Sequence, residues 1–339
     1  MYRDARRRTR ARGLLLLSLL SVLAIVGCTS DINSFNTITD RGDSIRWLLN
    51  LSFILSFAVM ALVFGILLFV LLRFRGPGAP STVEKHKALE ITWTAIPAAL
   101  LVVLFIVSLR TGLHVTDAFG SDQDVIRVNV VGNQWWWAFE YPDLGITTAN
   151  ELHVPAGRPV RLEMTGKDVI HSFWVPEIGW KLDTIPGKTT TINFEAHREG
   201  TFDGACAEFC GVQHAWMRLK VVSMSNDAFD QWASAQAKAA AEPSSDLARS
   251  GRELFLTQTC INCHTVRGTS AQGTVGPDLT HFASRATIGG GVVDNTPENL
   301  DAWLRNPDAI KPGVLMPGYD QSLSDDQLKA LLEYLEGLN

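Results

Sequence analysis

Between Cys206 and Met217 the chain reads C-A-E-F-C-G-V-Q-H-A-W-M, which gathers two thiols, an imidazole and a thioether within twelve residues. Thiolate and thioether ligands select copper, zinc or an iron-sulfur cluster, and one Cys, one His and a weak Met form the ligand set of a mononuclear blue-copper centre. The extra Cys changes the stoichiometry. Two thiolates can bridge two copper ions, leaving each metal one imidazole and one weak ligand, so that the pair shares an electron with little change in geometry. The second imidazole is expected from His171, in D-V-I-H-S-F-W-V-P, on a strand beside the loop. The other use of Cys206 and Cys210 is a disulfide, the usual fate of extracytoplasmic thiols, but a disulfide leaves His214 and Met217 without a role.

A second constellation, T-C-I-N-C-H from Thr259 to His264, matches C-x-x-C-H, the attachment site of a c-type haem. Two thioethers at Cys260 and Cys263 would fix the porphyrin and His264 would bind iron. The surroundings fit a small cytochrome c: G-x-x-L-F from Gly251 to Phe255, G-P-D-L from Gly276 to Leu279, and L-M-P-G from Leu315 to Gly318. Met316 is therefore the expected sixth ligand, and His-Met ligation raises the reduction potential. His281 is expected to be a solvated surface residue. Of five cysteines, two go to each site, which leaves Cys28.

These sites need a scaffold and a compartment. Arg3 to Arg12 carries six arginines, Leu14 to Val26 is apolar, and I-V-G-C ends at Cys28, so residues 1–28 read as a lipoprotein-type signal peptide with Cys28 as the lipidated residue, or else as an uncleaved anchor. Residues 29–111 form a membrane anchor with two uncharged helices, about 47–72 and 91–109, each long enough to span a bilayer. The loop between them carries Arg73, Arg75, Lys85 and Lys87 against Glu84, which places it in the cytoplasm and everything after Leu109 outside. Pro97 should kink the second span.

Residues 112–225 change to strand patterning, as in V-I-R-V-N-V-V, P-V-R-L-E-M and T-T-T-I-N-F, which implies a β-sandwich or barrel. Residues 226–245 read as a short Ala-rich helix, Asp227 to Ala241, and a flexible E-P-S-S junction. Residues 246–339 are helical at both ends, with Ser324 and Gln327 forming a capping box ahead of Leu328, Leu331, Leu332 and Leu335. Lys+Arg against Asp+Glu is 13 to 6 over residues 1–111, 10 to 16 over 112–240 and 7 to 13 over 241–339. The acidic outer parts exclude a nucleic-acid partner and suit a basic redox partner.

The segment from Cys206 to Met217, taken with His171, resembles the binuclear copper A site of subunit II of A-type haem-copper cytochrome c oxidases, here with a cytochrome c domain fused at the C-terminus. The resemblance implies two transmembrane helices, a cupredoxin-like β-sandwich or barrel, and an all-α c-type cytochrome domain. It implies that one copper takes His171 and Met217, and the other takes His214 and the carbonyl of Glu208, whose carboxylate would offer itself to a magnesium ion at the subunit I interface. Q-W-W-W at Gln134 to Trp137 resembles the family's aromatic cluster, with Trp135 where electrons enter copper A, although Trp136 stands where a tyrosine is expected. An aromatic triplet is by default buried core. L-E-I-T-W-T-A-I-P resembles the start of the family's second span, so Glu90 would stand at the mouth of a proton channel; a solvated boundary carboxylate is the bland alternative. His86, His114, His153 and His197 match no ligand position and read as surface or loop residues.

Two spans cannot hold the haems and third copper that oxygen reduction requires. The expectation is a multi-pass protein of the bacterial cytoplasmic membrane, partnered with oxidase subunits I and III, membrane lipid, and an external cytochrome c or quinol-cytochrome c reductase as donor. It would take electrons onto its own haem c, then onto copper A and the haem of subunit I, driving water formation and proton pumping. A donor subunit of a copper A nitric oxide reductase and a free-standing membrane electron carrier are the competing readings; two spans argue against the carrier, for which a lipid anchor would suffice.

Overall fold

A computed structural model describes residues 32–76, 78, 85–117 and 124–339; the signal-like segment with Cys28 and most of the Gly76 to Pro80 turn lie outside them. Two helices come first, α1 (Asp40–Arg73) and α2 (Lys87–Thr116), both long and apolar enough to cross a bilayer. Each runs beyond its uncharged stretch at both ends. For α1 the reason is visible: Thr39 caps the first turn by accepting from the N–H of Gly42 at 2.9 Å, Asp40 and Asp43 sit at the positive end of the helix dipole and Arg73 at the negative end. With 34 residues, α1 is about 51 Å long at 1.5 Å per residue, more than the roughly 30 Å hydrocarbon core. The surplus reaches the next domain, where the Thr39 hydroxyl donates to the carbonyl of Ile178 at 2.6 Å and Arg41 donates to that of Asn193 at 2.7 Å.

Ten strands then form a two-sheet sandwich. They are β1 (Ile126–Asn133), β2 (Trp136–Tyr141), β3 (Ile146–Ala149), β4 (Glu151–Pro155), β5 (Pro159–Gly166), β6 (His171–Trp174), β7 (Leu182–Thr184), β8 (Thr190–Glu195), β9 (Gly200–Cys206) and β10 (Arg218–Met224). One sheet has the order β3-β2-β1-β5-β8 and the other β4-β10-β9-β6-β7. The alternation read from the sequence is the packing: Val128, Val130, Leu162, Met164, Ile192 and Phe194 point inward and are buried against Phe173, Leu219 and Val221 from the other sheet. The architecture is the cupredoxin-like one expected.

α3 (Asn226–Gln236) follows and is shorter than the Ala-rich run promised. It stops because the next segment is captured by the C-terminal domain: the Arg267 guanidinium donates to the carbonyl of Gln236, and the N–H of Ala240 donates to that of Arg267 at 3.0 Å. The last domain packs α4 (Asp246–Thr257), a two-stranded ladder β11 (Thr287–Ile288) and β12 (Val293–Asp294), α5 (Pro297–Arg305), α6 (Pro307–Ile310) and α7 (Asp325–Glu336). Ser324 and Gln327 form the capping box of α7. α4 and α7 cross so closely at Gly251 that a Cβ there would lie 1.9 Å from the carbonyl oxygen of Ala330.

Candidate metal centres

Strand pairing closes the neck of the first loop. β9 ends at Cys206, β10 begins just after Met217, and the N–H of Cys206 donates to the carbonyl of Met217 at 2.9 Å. β6 runs beside β9 with Phe173 opposite Cys206, which brings His171, the first residue of β6, to the thiols. A short 3-10 turn, His214–Trp216, completes the loop. Cys206 and Cys210 are separate thiols with sulfurs 3.7 Å apart, so the disulfide alternative is not adopted. Cys210 Sγ lies 3.7 Å from His214 Nδ1 and 3.9 Å from Met217 Sδ, and Cys206 Sγ lies 3.2 Å from the carbonyl oxygen of Glu208. The Glu208 side chain itself is exposed.

His171 supplies the test of fit. It is wholly buried, and its Nε2–H donates to Asp168 Oδ1 at 2.8 Å, while Nδ1 has no hydrogen-bond partner. Buried polar atoms are normally satisfied. Asp168, held by the N–H groups of Gln134 and Val169 at 2.7 Å each, fixes the tautomer that leaves the Nδ1 lone pair free. The ligand atoms of His171, Cys206 and Cys210 lie within 4.8 Å of one another. The contact between the two sulfurs lowers the pKa of the Cys206 thiol, against the effect of burial, and raises that of Cys210. Burial works against an imidazolium at His171, but Cys206 and Asp168 outweigh it and raise its pKa. Two sulfurs beside an imidazole nitrogen that has no hydrogen-bond partner suit soft or borderline cations.

The tryptophan triplet divides between core and site. Trp137 is buried, packed edge-on against Phe173 with ring centroids 5.7 Å apart. Trp135 instead joins the loop: its indole N–H donates to the carbonyl of Cys210 at 3.0 Å, and Gln134 donates to the same oxygen at 2.8 Å. Gly211, at φ 120°, leaves the room, since a Cβ there would lie 2.9 Å from the Trp135 ring.

In the C-terminal domain, Cys260 lies within a 3-10 turn, Thr259–Asn262, that Cys263 closes, and the N–H of His264 donates to the carbonyl of Cys260 at 3.0 Å. Both thiols are free. His264 Nδ1–H donates to the carbonyl of Pro277 at 2.8 Å, which leaves Nε2 as a lone-pair donor. Burial pushes the His264 pKa down and keeps the ring neutral, as a metal ligand must be. Cys260, Cys263, His264 and Met316 all line one open cavity. Arg285 adds a cation to its wall, a partner for porphyrin carboxylates. Met316 Sδ accepts from the indole N–H of Trp303 at 3.2 Å. The residues fit a covalently held haem.

Gln134, Trp135, Trp136 and Gln213 of the sandwich line the same cavity, so Trp135 borders both centres. Glu90 lies apart from them, in the first turn of α2 with its side chain exposed. Two histidines differ from expectation. His281 is buried, its Nε2–H donating to the carbonyl of Lys238 at 3.0 Å, because the captured linker covers it. His153 sits in β4, stacked on Trp232 of α3 at 4.4 Å, and burial lowers its pKa to about 4; His86, His114 and His197 are exposed. Glu151 and Lys311 carry no local signal, since their partners lie in the other domain; Asp168 stands only three residues before His171, yet nothing in that spacing marks it as the group that orients the ring.

The comparisons with known proteins follow the same division of the chain. Residues 36–111 match the transmembrane domain of cytochrome c oxidase subunit II, residues 144–224 its periplasmic domain, and residues 248–339 cytochrome c. The chain is 38% identical over 328 residues to "Cytochrome c oxidase subunit 2" of Alkalihalophilus pseudofirmus, covering 93% of this chain and 94% of that protein. It is 37% identical over 349 residues to the protein of the same name from Bacillus subtilis, covering 96% and 97%. With two helices fit to span a bilayer, a periplasmic-type sandwich and a cytochrome c domain, the chain belongs to the cytochrome c oxidase subunit II family and is a membrane-bound component of an oxidoreductase complex.

Proposed function

We propose that this chain is where electrons enter a respiratory cytochrome c oxidase, travelling from a cytochrome c donor to its own haem c, on to copper A, and then to the haem of subunit I, where oxygen is reduced to water with proton pumping. The observation that carries this reading is Trp135, whose indole is bonded to the backbone of Cys210 and whose side chain also lines the haem cavity. When bound, the haem and the copper pair each supply a one-electron redox centre. Cys260 and Cys263 would anchor the porphyrin, and His264 and Met316 would hold its iron. Cys206, Cys210, His171, Met217, His214 and the Glu208 carbonyl would together hold the copper pair. The exposed Glu208 carboxylate is then free to meet a magnesium ion at the face of subunit I. Glu90, at the start of α2, would gather protons on the cytoplasmic side of a bacterial inner membrane, opposite the two redox domains, and Cys28 would carry lipid.

Electron spin resonance of the oxidised full chain tests the copper assignment. A seven-line copper hyperfine pattern, lost in Cys206→Ser and in Cys210→Ser, is expected, because bridging thiolates let two ions share one unpaired electron. A four-line pattern from a single copper would contradict it.

A further inference from the structure

We propose that Glu151 and Lys311 act as two reciprocal pegs that lock the cytochrome domain onto the Trp135 face of the copper domain, so that the haem cavity stays docked through turnover instead of swinging on the linker. The proposal rests on the reading that electrons cross between the two domains of this chain.

Each peg is a charged side chain that one domain buries in the other. Glu151, on β4 of the sandwich, is 3% exposed and accepts three hydrogen bonds from the cytochrome domain: from the N–H of Ala286 at 3.2 Å, the N–H of Thr287 at 2.9 Å and the Thr287 hydroxyl at 3.0 Å. Lys311, from the cytochrome domain, is also 3% exposed, and its ammonium donates to the carbonyl of Trp135 at 2.9 Å. Gln213, next to His214, fastens the same segment by donating to the carbonyls of Lys311 and Pro312 at 3.1 Å each.

The two pegs point in opposite directions across the seam. Sliding or tilting that relieves one strips partners from the other, and a buried charge that loses its partners is strongly disfavoured. Hydrogen bonds to ionised groups are also about twice as strong as neutral ones. The linker gives little slack, because the carbonyls of Gln236 and Lys238 are already held by Arg267 and His281 of the cytochrome domain. Trp135 is therefore the seat of the chain's own cytochrome domain, and its backbone is engaged by a lysine that no visiting protein can displace without undocking the domain. Glu151 and Lys311 are positioning residues: they set the distance electrons cross, Glu151 from outside the haem cavity and Lys311 from its wall.

The test uses the full chain in the detergent-purified oxidase complex. Hydrogen exchange at the N–H groups of Ala286 and Thr287 is measured alongside the rate of haem-to-copper electron transfer at low and high salt. In the wild type both amides should exchange as slowly as the sandwich core, and the rate should not vary with salt. Glu151→Gln and Lys311→Met, checked for intact haem and copper spectra, should each speed Thr287 exchange at least about 10-fold and make the rate salt-dependent, as for domains that must find each other. Glu151→Ala serves if Glu151→Gln retains its bonds. Wild-type amides that exchange like an open loop, or variants that leave exchange and salt response unchanged, would overturn the lock. A wild-type haem that never reduces the copper would instead remove the electron route, while the exchange data still judge the docking.

Discussion

The loop from Cys206 to Met217 and the segment from Cys260 to Met316 both gather sulfur and imidazole, but they reach their geometry differently. In the first, paired strands close the neck, and neighbouring donor atoms already stand 3.7 to 3.9 Å apart. In the second, His264 and Met316 line a shared open cavity, and the methionine sulfur rests against Trp303. The sheet holds the copper-type site together whatever occupies it. In the cytochrome domain the core itself faces the site, since its core residues Phe255, Phe282, Leu331 and Leu335 also line the cavity. One domain should therefore depend on its cofactor for stability and the other mainly for function.

Removing the haem attachment gives the largest effect. Cys260→Ala with Cys263→Ala should cost the cytochrome domain about 4 kcal/mol or more, seen as loss of its calorimetric transition while that of the sandwich remains; retention of both transitions would break the comparison. Acid should act on the sandwich with no cofactor involved. His153 has a folded pKa of about 4 against 6.5 unfolded, so the unfolded chain binds the proton first. Its neutral, buried ring contributes fully above pH 6.5, and about 3 kcal/mol is lost as pH falls from 6.5 through 4. Denaturant titrations at pH 7 and pH 5 should show about 2 kcal/mol of this loss and His153→Gln should flatten it; an equal slope in the variant would rule the residue out.

Asp168→Asn tests how far the first loop is preset. It keeps the fold but loosens the hold on His171 Nε2, and copper affinity should fall about 10–100-fold in a chelator competition; an unchanged affinity would show that the strands alone orient the ring. Met316→Ala should have the smallest effect on stability, about 1 kcal/mol for a half-buried side chain. The haem should stay attached while the sulfur-to-iron band disappears and the potential falls; a persistent band would identify another ligand.

The same division explains what could be read from the chain. Four of the donors around the first site lie in one loop, so their spacing in sequence is nearly their arrangement in space. The strands holding Val128, Leu162 and Ile192 announce themselves by alternation, and α7 by its capping box. Contacts across the domain seam leave no such trace. Glu151 and Lys311 look like ordinary solubilising charges, and Asp168 gains its role only when β6 turns its histidine back over it. His281 and the end of α3 differ from expectation for one reason: the last residues of the stretch expected to be helical, Gln236 to Ala240, are bonded to the cytochrome domain instead, which buries the histidine and stops the helix.

The most direct test of the central claim is rapid mixing of the full oxidase complex with a reduced cytochrome c, following the c-haem and copper A absorption bands together. The account predicts that the c-haem is reduced first, that copper follows from it, and that Cys260→Ala with Cys263→Ala abolishes copper reduction by the donor. Copper that is reduced before the haem, or at an unchanged rate in that variant, would contradict it.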